Sequence, residues 1–450
     1  MVVTKDVKAG TLLAVCNPLA IAYTDPLDMG FQFDPLTGRK NDRSQTDLIT
    51  KLANVSMHNP EVLQQMYALY DGTQQSLENT PEITLFNNQL PENHTAKAVA
   101  DIREIASIVQ HNAFGSDCHR DGAGAEGGSD LLIEDQTKEK QWSGLYPLMS
   151  LINHSCCPNS THYFIRDAAM LRAGSDMKTG DEVTISYKAD LYGSASSRQR
   201  DLGFGWQFVC SCSRCQVEHG LSPAILDMIN TLQHQLDTTI CQVGTIASDF
   251  GQAVSLQRQS KFRLIARKLD RLLTELEGEL ARASLTQQQR EWAMFTVLRA
   301  YLCRRQCFEV MFDLLRLPQI SKQIAAIYQS TVPGSSAHIH EMVRNIERAE
   351  CLSPGSPWQR QAVKAAKLTL QVRYGLVTKA QTHKALLKAL RNNSSKYARK
   401  MVYDDCWVMM IMLTITPPDC NCSVTGGGVA ICYVATCLLC GKYSCCHNSL

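Results

Sequence analysis

Short apolar runs bounded by turn residues are typical of the start of the chain and of a stretch further along it. Residues 11–15 and 19–23 each follow a turn residue and predict two β-strands. Residues 168–172 and 182–187, separated by a turn at 178–181, predict two more strands. These patterns indicate a domain built mainly from β-strands.

Apolar residues recur at helical spacing in two other parts of the chain. From residue 44 to about residue 113 this spacing predicts a helical insertion in the β domain, with a shorter helix near 61–70. After Cys215 the chain becomes helical, beginning with Ser222 and Pro223, which are typical of a helix start. Apolar stripes predict helices over 225–236, 264–280, 292–312, 362–372 and 380–390. Antiparallel pairs of the tetratricopeptide (TPR) type fit these stripes, although no clean repeat of about 34 residues is visible.

The charge balance argues against functions that need a strongly basic protein. Lys and Arg total 45 against 43 Asp and Glu, so the net charge is +2 over 450 residues. We therefore predict no direct nucleic-acid binding and no attachment to a membrane. The longest apolar runs, 409–415 and 429–440, are shorter than the roughly 18–20 residues of a membrane-spanning helix. The N-terminal residues lack the apolar centre of a signal peptide, which predicts a reducing compartment: the cytoplasm, the nucleus or both.

The 19 cysteines are the most unusual feature of the composition. In a reducing compartment, clustered cysteines indicate metal binding more often than disulfides. Cys210, Cys212 and Cys215 form a Cys-x-Cys-x-x-Cys pattern that brings three sulfurs together, and Cys156 is the natural candidate for the fourth ligand of a tetrahedral Zn²⁺ site. Four thiolates leave no open position for water, so the site would be structural. The alternative is a set of buried free cysteines.

A second group of cysteines lies in the C-terminal tail, residues 416–450. The tail contains seven of the 19 cysteines, three consecutive glycines and almost no charge. A Cys-x-x-Cys pair at Cys437 and Cys440 favours a zinc site. The lack of any surrounding core pattern favours a tail without fixed structure, which is the interpretation we prefer. The glycine-rich residues 115–129 predict a flexible surface loop.

Three motifs follow one another in a specific order. Asn-His-Ser-Cys-Cys-Pro-Asn spans 153–159, Gly-Asp-Glu-Val-Thr-Ile-Ser-Tyr spans 180–187, and Phe-Val-Cys-Ser-Cys-Ser-Arg-Cys spans 208–215. Together they resemble the SET domain of protein lysine methyltransferases and its post-SET zinc segment. Residues 4–20 resemble the opening strands of that domain. The Asn-x-Phe element within 109–115 is similar to that of the SET and MYND subfamily and of plant-type TPR-SET proteins.

The resemblance implies S-adenosylmethionine-dependent transfer of a methyl group to a lysine ε-amine of a histone or another protein. It implies a cofactor site formed by Asn112, Asn153, His154, Tyr187 and Phe208, with Tyr187 also at the methyl-transfer centre as the catalytic residue. It further implies a protein substrate, and C-terminal helices that bind protein partners. In-line methyl displacement needs no metal, so positioning and desolvation would supply most of the catalysis.

Several of these residues also have a purely structural interpretation. An asparagine at a helix end is a common C-terminal cap, which is the alternative for Asn112. His154 is expected to contribute mainly structure and a backbone contact to the cofactor. Tyr163 or Tyr192 would line the lysine channel beside Tyr187, although ordinary half-buried strand tyrosines are the simpler interpretation of both.

Two features of the family are not visible in the sequence. The chain begins at Met1, past the Gly-x-Gly segment that precedes the first strand in the family, so we expect either a shortened product or a variant whose cofactor site lacks one wall. No run of paired cysteines indicates a MYND module. The alternative function is therefore a catalytically inactive, zinc-stabilised scaffold that binds proteins through its helices.

The predicted fold is mixed α+β. A mainly β SET domain with a helical insertion and a post-SET zinc segment precedes an α-helical, TPR-like domain. The predicted boundaries are 1–35 and 142–207 for the two parts of the SET domain, 36–141 for the insertion, 208–216 for the zinc segment, 221–415 for the helical domain and 416–450 for the tail.

Overall fold

The computed structural model describes residues 1–24, 31–33, 40–73, 101–115, 141–188, 191–248, 256–311 and 313–404. All described strands lie in the first half of the chain. They are β1 (Leu12–Cys16), β2 (Ala20–Thr24), β3 (Phe31–Phe33), β4 (Lys40–Asp42), β5 (Ala113–Gly115), β6 (Gln141–Leu145), β7 (Asn153–His154), β8 (Ser160–Ile165), β9 (Ala168–Ala173) and β10 (Thr184–Ile185).

The strands form several small sheets. Two sheets have three antiparallel strands, in the orders β1-β9-β8 and β2-β6-β5. Strands β3 and β4 form an antiparallel pair, whereas β7 and β10 pair in parallel. Because parallel neighbours cannot be joined by a tight turn, this last pairing brings together segments that are distant in sequence.

The described helices are α1 (Arg43–His58), α2 (Pro60–Tyr67), α3 (Ile102–Asn112), α4 (Pro147–Ser150), α5 (Ala195–Trp206), α6 (Ser213–His219), α7 (Pro223–Ser248), α8 (Leu256–Arg282), α9 (Gln287–Thr296), α10 (Leu298–Val310), α11 (Leu317–Thr331), α12 (Ser336–Leu352), α13 (Pro357–Tyr374) and α14 (Lys379–Asp404). Several begin at the side-chain caps that favour a helix start. Thr286 and Gln289 form a reciprocal capping box at α9, and Ser335 and Ser356 cap α12 and α13.

The described part of the chain that contains the strands, from β1 to β10, is called the β part, and it has two separate hydrophobic cores. One lies where α1, α2 and α3 pack against β2 and β6, and includes Leu48, Leu52, Met66 and Ile105. The other lies under the β1-β9-β8 sheet and includes Tyr146, Ile152, Leu171 and Ile185. Burial of such side chains is the main stabilising contribution in both cores.

The helices after residue 220 share a much larger core. It contains residues of α7 to α11 together with Cys156, Leu202, Cys210 and Cys215, and a smaller cluster joins α12 to α14. The cysteine segment therefore packs as part of the helical core.

The β part also contacts α13. Arg373 Nη1 donates hydrogen bonds to Thr161 Oγ1 at 3.2 Å and to the Gly334 carbonyl at 3.2 Å. Gly10, with a φ of +87°, brings its turn so close to α13 that an added Cβ would lie 3.0 Å from the Gln371 carbonyl oxygen. The close approach explains the glycine at this turn.

The mixed α+β fold is confirmed, and the predicted strands at 11–15, 19–23 and 168–172 appear as β1, β2 and β9, within one residue at each end. The single helix predicted over 292–312 is wrong. Val297 leaves the helical conformation, with φ −109° and ψ 21°, and separates α9 from α10. The sequence analysis also missed α11 and α12.

Two predictions fall outside the described residues: the flexible loop, of which only Gly115 is described, and the tail at 416–450. Across the described ranges, no helix combines the length and apolar character needed to cross a bilayer.

Candidate active site and thiol cluster

The parallel pairing of β7 with β10 brings the motif at 153–159 against the motif at 180–187. Thr184 lies beside Asn153, and Ile185 lies beside His154. Asn159 fastens the two segments, because its Oδ1 accepts the Thr184 backbone N–H at 2.9 Å and its Nδ2 donates to the Glu182 carbonyl at 2.7 Å. The last residue of the first motif therefore fixes the backbone of the second.

Cys156, Cys210, Cys212 and Cys215 lie in one cluster in which all four sulfurs are within 4.8 Å of one another. Zn–S bonds of about 2.3 Å place the sulfurs of a tetrahedral site roughly 3.8 Å apart. The Cys156 and Cys215 sulfurs are 3.7 Å apart. Hydrogen bonds from neighbouring thiols, first of all Cys210, lower the pKa of Cys156 to about 4, which favours the metal-binding thiolate. In spacing and chemistry, the four cysteines fit a structural zinc ion.

Local structure holds the three cysteines of the segment at 208–215 in place. The Gln199 side chain brackets the Cys210 backbone, since its Nε2 donates to the Cys210 carbonyl at 2.5 Å and its Oε1 accepts the Cys210 N–H at 2.7 Å. Cys212 is the N-cap residue of α6, and Cys215 lies on the first turn of that helix. Gln207, at φ 61°, turns the chain between α5 and this segment.

A buried ionic network surrounds the cluster. Glu218 Oε1 accepts hydrogen bonds from Arg214 Nε at 2.7 Å and from Arg198 Nη2 at 3.0 Å, and all three side chains are at most 3% exposed. Arg198 Nη2 also lies 3.6 Å from Cys215 Sγ. With Zn²⁺ bound, the four thiolates would carry a net negative charge, which these guanidinium groups would offset.

Arg214 joins three parts of the molecule. Its Nη1 donates to the carbonyls of Cys156 and Leu191, and its Nη2 donates to Thr296 Oγ1 on α9 at 3.0 Å. One buried side chain thus joins the motif at 153–159, the cysteine segment at 208–215 and the helical core.

His154 connects the thiol cluster to Tyr187. The Tyr187 backbone N–H donates to His154 Nδ1 at 3.0 Å, so Nδ1 is the acceptor nitrogen and the ring proton of the neutral imidazole lies on Nε2. That Nε2 lies 3.4 Å from Cys156 Sγ. The histidine thereby donates to a cluster sulfur and fixes the backbone at Tyr187.

Tyr187 is held at both its backbone and its hydroxyl. The hydroxyl donates to the Ile152 carbonyl at 2.7 Å, and burial raises the pKa of Tyr187 to about 12. Its ring packs against those of Trp206, at 5.5 Å between centroids, and Phe208, at 6.2 Å. Phe208 also lies 6.0 Å from the His154 ring. Three of the predicted cofactor-site residues, His154, Tyr187 and Phe208, thus form one aromatic group.

The two predicted asparagines have different environments. Asn153 is exposed at the edge of this group, and its Nδ2 donates to Glu182 Oε1 at 2.7 Å. Asn112 is buried at the end of α3, where its Nδ2 donates to the carbonyls of Tyr70 and Ile108. Asn112 therefore stabilises a helix C-terminus, and a role in cofactor binding stays a prediction.

Tyr163 and Tyr192 pack against the helical part of the molecule. The Tyr163 ring contacts Tyr374 at 5.3 Å, and the Tyr192 hydroxyl lies 2.9 Å from the Tyr328 hydroxyl. These contacts favour the structural interpretation of both tyrosines.

Sequence reasoning missed Trp206, Arg198 and Arg214. The position of Trp206, two residues before Phe208, was a usable signal. Arg198 and Arg214 had no such signal in the sequence, because an arginine near a cysteine motif is most often a solvated side chain.

Parts of the chain are similar in sequence to known proteins. Residues 1–188 match the SET domain family model. A stretch of 115 residues is 36% identical to the histone-lysine N-methyltransferase ASHR1 of Arabidopsis thaliana and covers 26% of this chain and 21% of that protein. A stretch of 75 residues is 41% identical to the histone-lysine N-methyltransferase SMYD3 of Homo sapiens, covering 17% of each chain. A third, of 90 residues, is 32% identical to the human protein-lysine N-methyltransferase SMYD4, covering 19% of this chain and 11% of that protein. Each alignment therefore spans about a fifth or less of the relative's length.

Proposed function

We propose that this SMYD-like SET-domain protein transfers a methyl group from S-adenosylmethionine to the ε-amine of a lysine in a protein substrate. The observation that carries the proposal is the fastening of Tyr187 by His154 and the Ile152 carbonyl, next to the partly exposed Phe208. The lysine methyltransferases that match this chain support the same chemistry.

The residues around Tyr187 suit the proposed cofactor in their chemistry. Phe208 remains half-buried after packing on His154 and Tyr187, so part of its apolar ring surface stays open, and the polar Asn153 directly precedes His154 in the chain. An aromatic surface suits an adenine ring, and an amide suits the cofactor's polar groups. Asn153, His154, Tyr187 and Phe208 would hold the cofactor, which supplies an activated methyl group when bound.

The contribution of Tyr187 would be orientation. With its pKa raised to about 12, the hydroxyl stays protonated throughout the physiological pH range and cannot act as a general base. Because the hydroxyl proton is directed at the Ile152 carbonyl, the oxygen is left to accept a hydrogen bond from the substrate amine. Such a contact would align the lone pair of the amine for attack.

The neighbouring rings would help the lysine to lose its proton. Trp206 and Phe208 form an apolar surround for Tyr187, and an ammonium that enters such a surround loses hydration. Desolvation lowers the lysine pKa, and the proton is released to water before attack. Positioning and water exclusion, rather than an enzyme base, would supply the rate enhancement.

The proposal extends to the substrate and to the compartment. We propose a histone or another protein with an accessible lysine, approached in the cytoplasm, the nucleus or both, with partner proteins held by the C-terminal helices. The buried thiol cluster would carry Zn²⁺ in a structural role, because all four ligand positions are filled by the protein.

The proposal is tested by incubating the full chain with tritiated S-adenosylmethionine, core histones and an array of single-lysine peptides. We expect label on lysine from the wild-type protein and a loss of at least about tenfold for Tyr187→Phe. Tyr328→Phe, which removes another buried hydroxyl that bonds to Tyr192, should retain the wild-type rate. Equal rates for wild type and Tyr187→Phe would remove Tyr187 from the transfer site. Bound zinc without cofactor binding would favour a catalytically inactive scaffold.

A further inference from the structure

A fifth thiol lies next to the four-cysteine cluster and is not needed for a tetrahedral site. Cys157 interacts through its side chain with Cys212, and its sulfur lies 3.6 Å from Ser155 Oγ. It does not belong to the group whose sulfurs are mutually within 4.8 Å. Cys212, in contrast, interacts with all four other thiols. Cys157 is therefore a thiol outside the proposed set of zinc ligands, and it contacts Cys212, the cysteine that interacts with all the others.

Exposure singles out the same pair. Among the five thiols, Cys156, Cys210 and Cys215 are buried, whereas Cys157 and Cys212 are both partly exposed. Oxidation of cysteine follows access to solvent and thiolate character. A small oxidant in solution would therefore reach Cys157 and Cys212 first.

Hydrogen bonding reinforces the difference between the sulfurs. Cys156 lies 3.4 Å from the donor Nε2 of His154, and Cys215 lies 3.6 Å from a guanidinium nitrogen of Arg198. Hydrogen-bond donors of this kind draw electron density from the sulfur lone pairs of a ligating thiolate and make it less nucleophilic. The partners of Cys212 are other cysteines, and one of them is Cys157.

We propose that Cys157 and Cys212 form a peroxide-sensitive pair that closes into a disulfide and expels the structural zinc. Hydrogen peroxide would oxidise the Cys212 thiolate to a sulfenic acid with release of hydroxide. The Cys157 thiol would then attack that sulfur and form the S–S bond, and its proton would leave with the sulfenic acid hydroxyl as water. Peroxide receives the two electrons that the two cysteines lose.

Closure of the disulfide would have consequences for the whole site. It removes one of four ligands, and three thiolates hold Zn²⁺ far less tightly than four. Cys212 is also the N-cap residue of α6, and the segment that carries it begins at Phe208. Zinc loss would therefore loosen the segment that packs against His154 and Tyr187. Reduction of the disulfide and addition of zinc would restore it.

The test uses the full zinc-loaded chain treated with hydrogen peroxide, with a chromogenic chelator to follow released zinc. Cys157→Ser keeps all four ligands, so it should contain as much zinc as wild type and release it several-fold more slowly. Cys351→Ser removes an exposed thiol far from the motif and should match wild type. Peptide mapping of the oxidised wild type should give the Cys157–Cys212 crosslink.

These readouts do not depend on methyl transfer and therefore stand apart from the proposed function. Equal zinc-release rates in wild type and Cys157→Ser would overturn the proposal, and so would a crosslink confined to Cys210 and Cys212. Purified chain without zinc would also overturn it. If Cys157→Ser misfolds, the crosslink in wild-type protein and its reversal by dithiothreitol and zinc decide the question.

Discussion

The β part and the helical part of the molecule are stabilised in different ways. Among the residues that the structure describes, the β part is divided among four small sheets of two or three strands and two separate hydrophobic cores. The helices from α7 to α11 share one large core in which many side chains have similar roles. We conclude that the helical part distributes its stability over many contacts, whereas the candidate active site depends on a few polar fixed points.

Those fixed points lie at the junction of the two parts. The four cysteines, Arg214 and Glu218 connect the motif at 153–159, the cysteine segment at 208–215 and α9 through specific bonds. When such a bond is lost, neighbouring side chains cannot supply another one in its place. In an apolar core, by contrast, neighbouring side chains can repack and restore part of the lost contact. Substitutions at the junction should therefore damage the site more than substitutions of equal size in the helical core.

The largest effect is expected from Cys212→Ser. Loss of one thiolate should take the zinc content from one ion per chain to near zero, because metal binding is coupled to folding of the ligand segment. Cofactor binding should be lost as well, since Phe208 begins the same segment. Elemental analysis and calorimetry on one sample measure both quantities, with Cys351→Ser as the control. Full zinc occupancy in Cys212→Ser would exclude Cys212 as a ligand.

A smaller but still large effect is expected from Glu218→Gln. This substitution leaves Arg198 and Arg214 buried without their shared carboxylate, which typically costs about 3–5 kcal/mol of unfolding free energy. Urea unfolding should show the loss. Asp176→Asn breaks the exposed Lys8 pair and serves as the control, with no measurable change expected. Similar midpoints for both variants would contradict the importance of the junction.

Leu273→Ala tests the helical part. Leu273 is completely buried on α8, and its truncation should cost about 2–5 kcal/mol. The contacts that Leu273 loses are spread over the large helical core and include none of the specific bonds at the junction. Zinc content and cofactor affinity at low temperature should therefore match wild type. Zinc loss in this variant without global unfolding would show that the two parts are not stabilised differently.

The smallest effect on stability is expected from Tyr187→Phe. Removal of the hydroxyl deletes one hydrogen bond to Ile152, worth about 1 kcal/mol, while the ring contacts with Trp206 and Phe208 remain. Thermal unfolding should therefore change little, although methyl transfer falls. A variant that unfolds many degrees lower would mean that Tyr187 is chiefly a structural residue.

Local patterns were sufficient to predict much of the fold. The short apolar runs at 11–15 and 168–172, bounded by turn residues, predicted β1 and β9. The stripe over 292–312 failed because apolar spacing continues across Val297, where only backbone geometry shows the break. Helix α12 was missed because polar residues lie on its buried face, among them His338, Glu341 and Asn345, and tertiary partners satisfy them.

For the candidate site, too, local sequence patterns predicted only the part that is formed by residues close together in the chain. The spacing of Cys210, Cys212 and Cys215 predicted three neighbouring thiols, since these residues lie within one short turn. Arg214 and Glu218 are four residues apart and resemble an exposed helical pair in the sequence. Their burial arises from packing against α9, more than 70 residues further along the chain, and is visible only in the folded protein.

The most direct test of the account is calorimetric titration of S-adenosylmethionine into the purified full chain, with zinc measured on the same sample. We predict one zinc ion per chain and saturable cofactor binding, retained in Tyr187→Phe and lost in Cys212→Ser. Zinc at full occupancy with no heat of cofactor binding would contradict the account, because the fastened site at His154 and Tyr187 would then hold no cofactor.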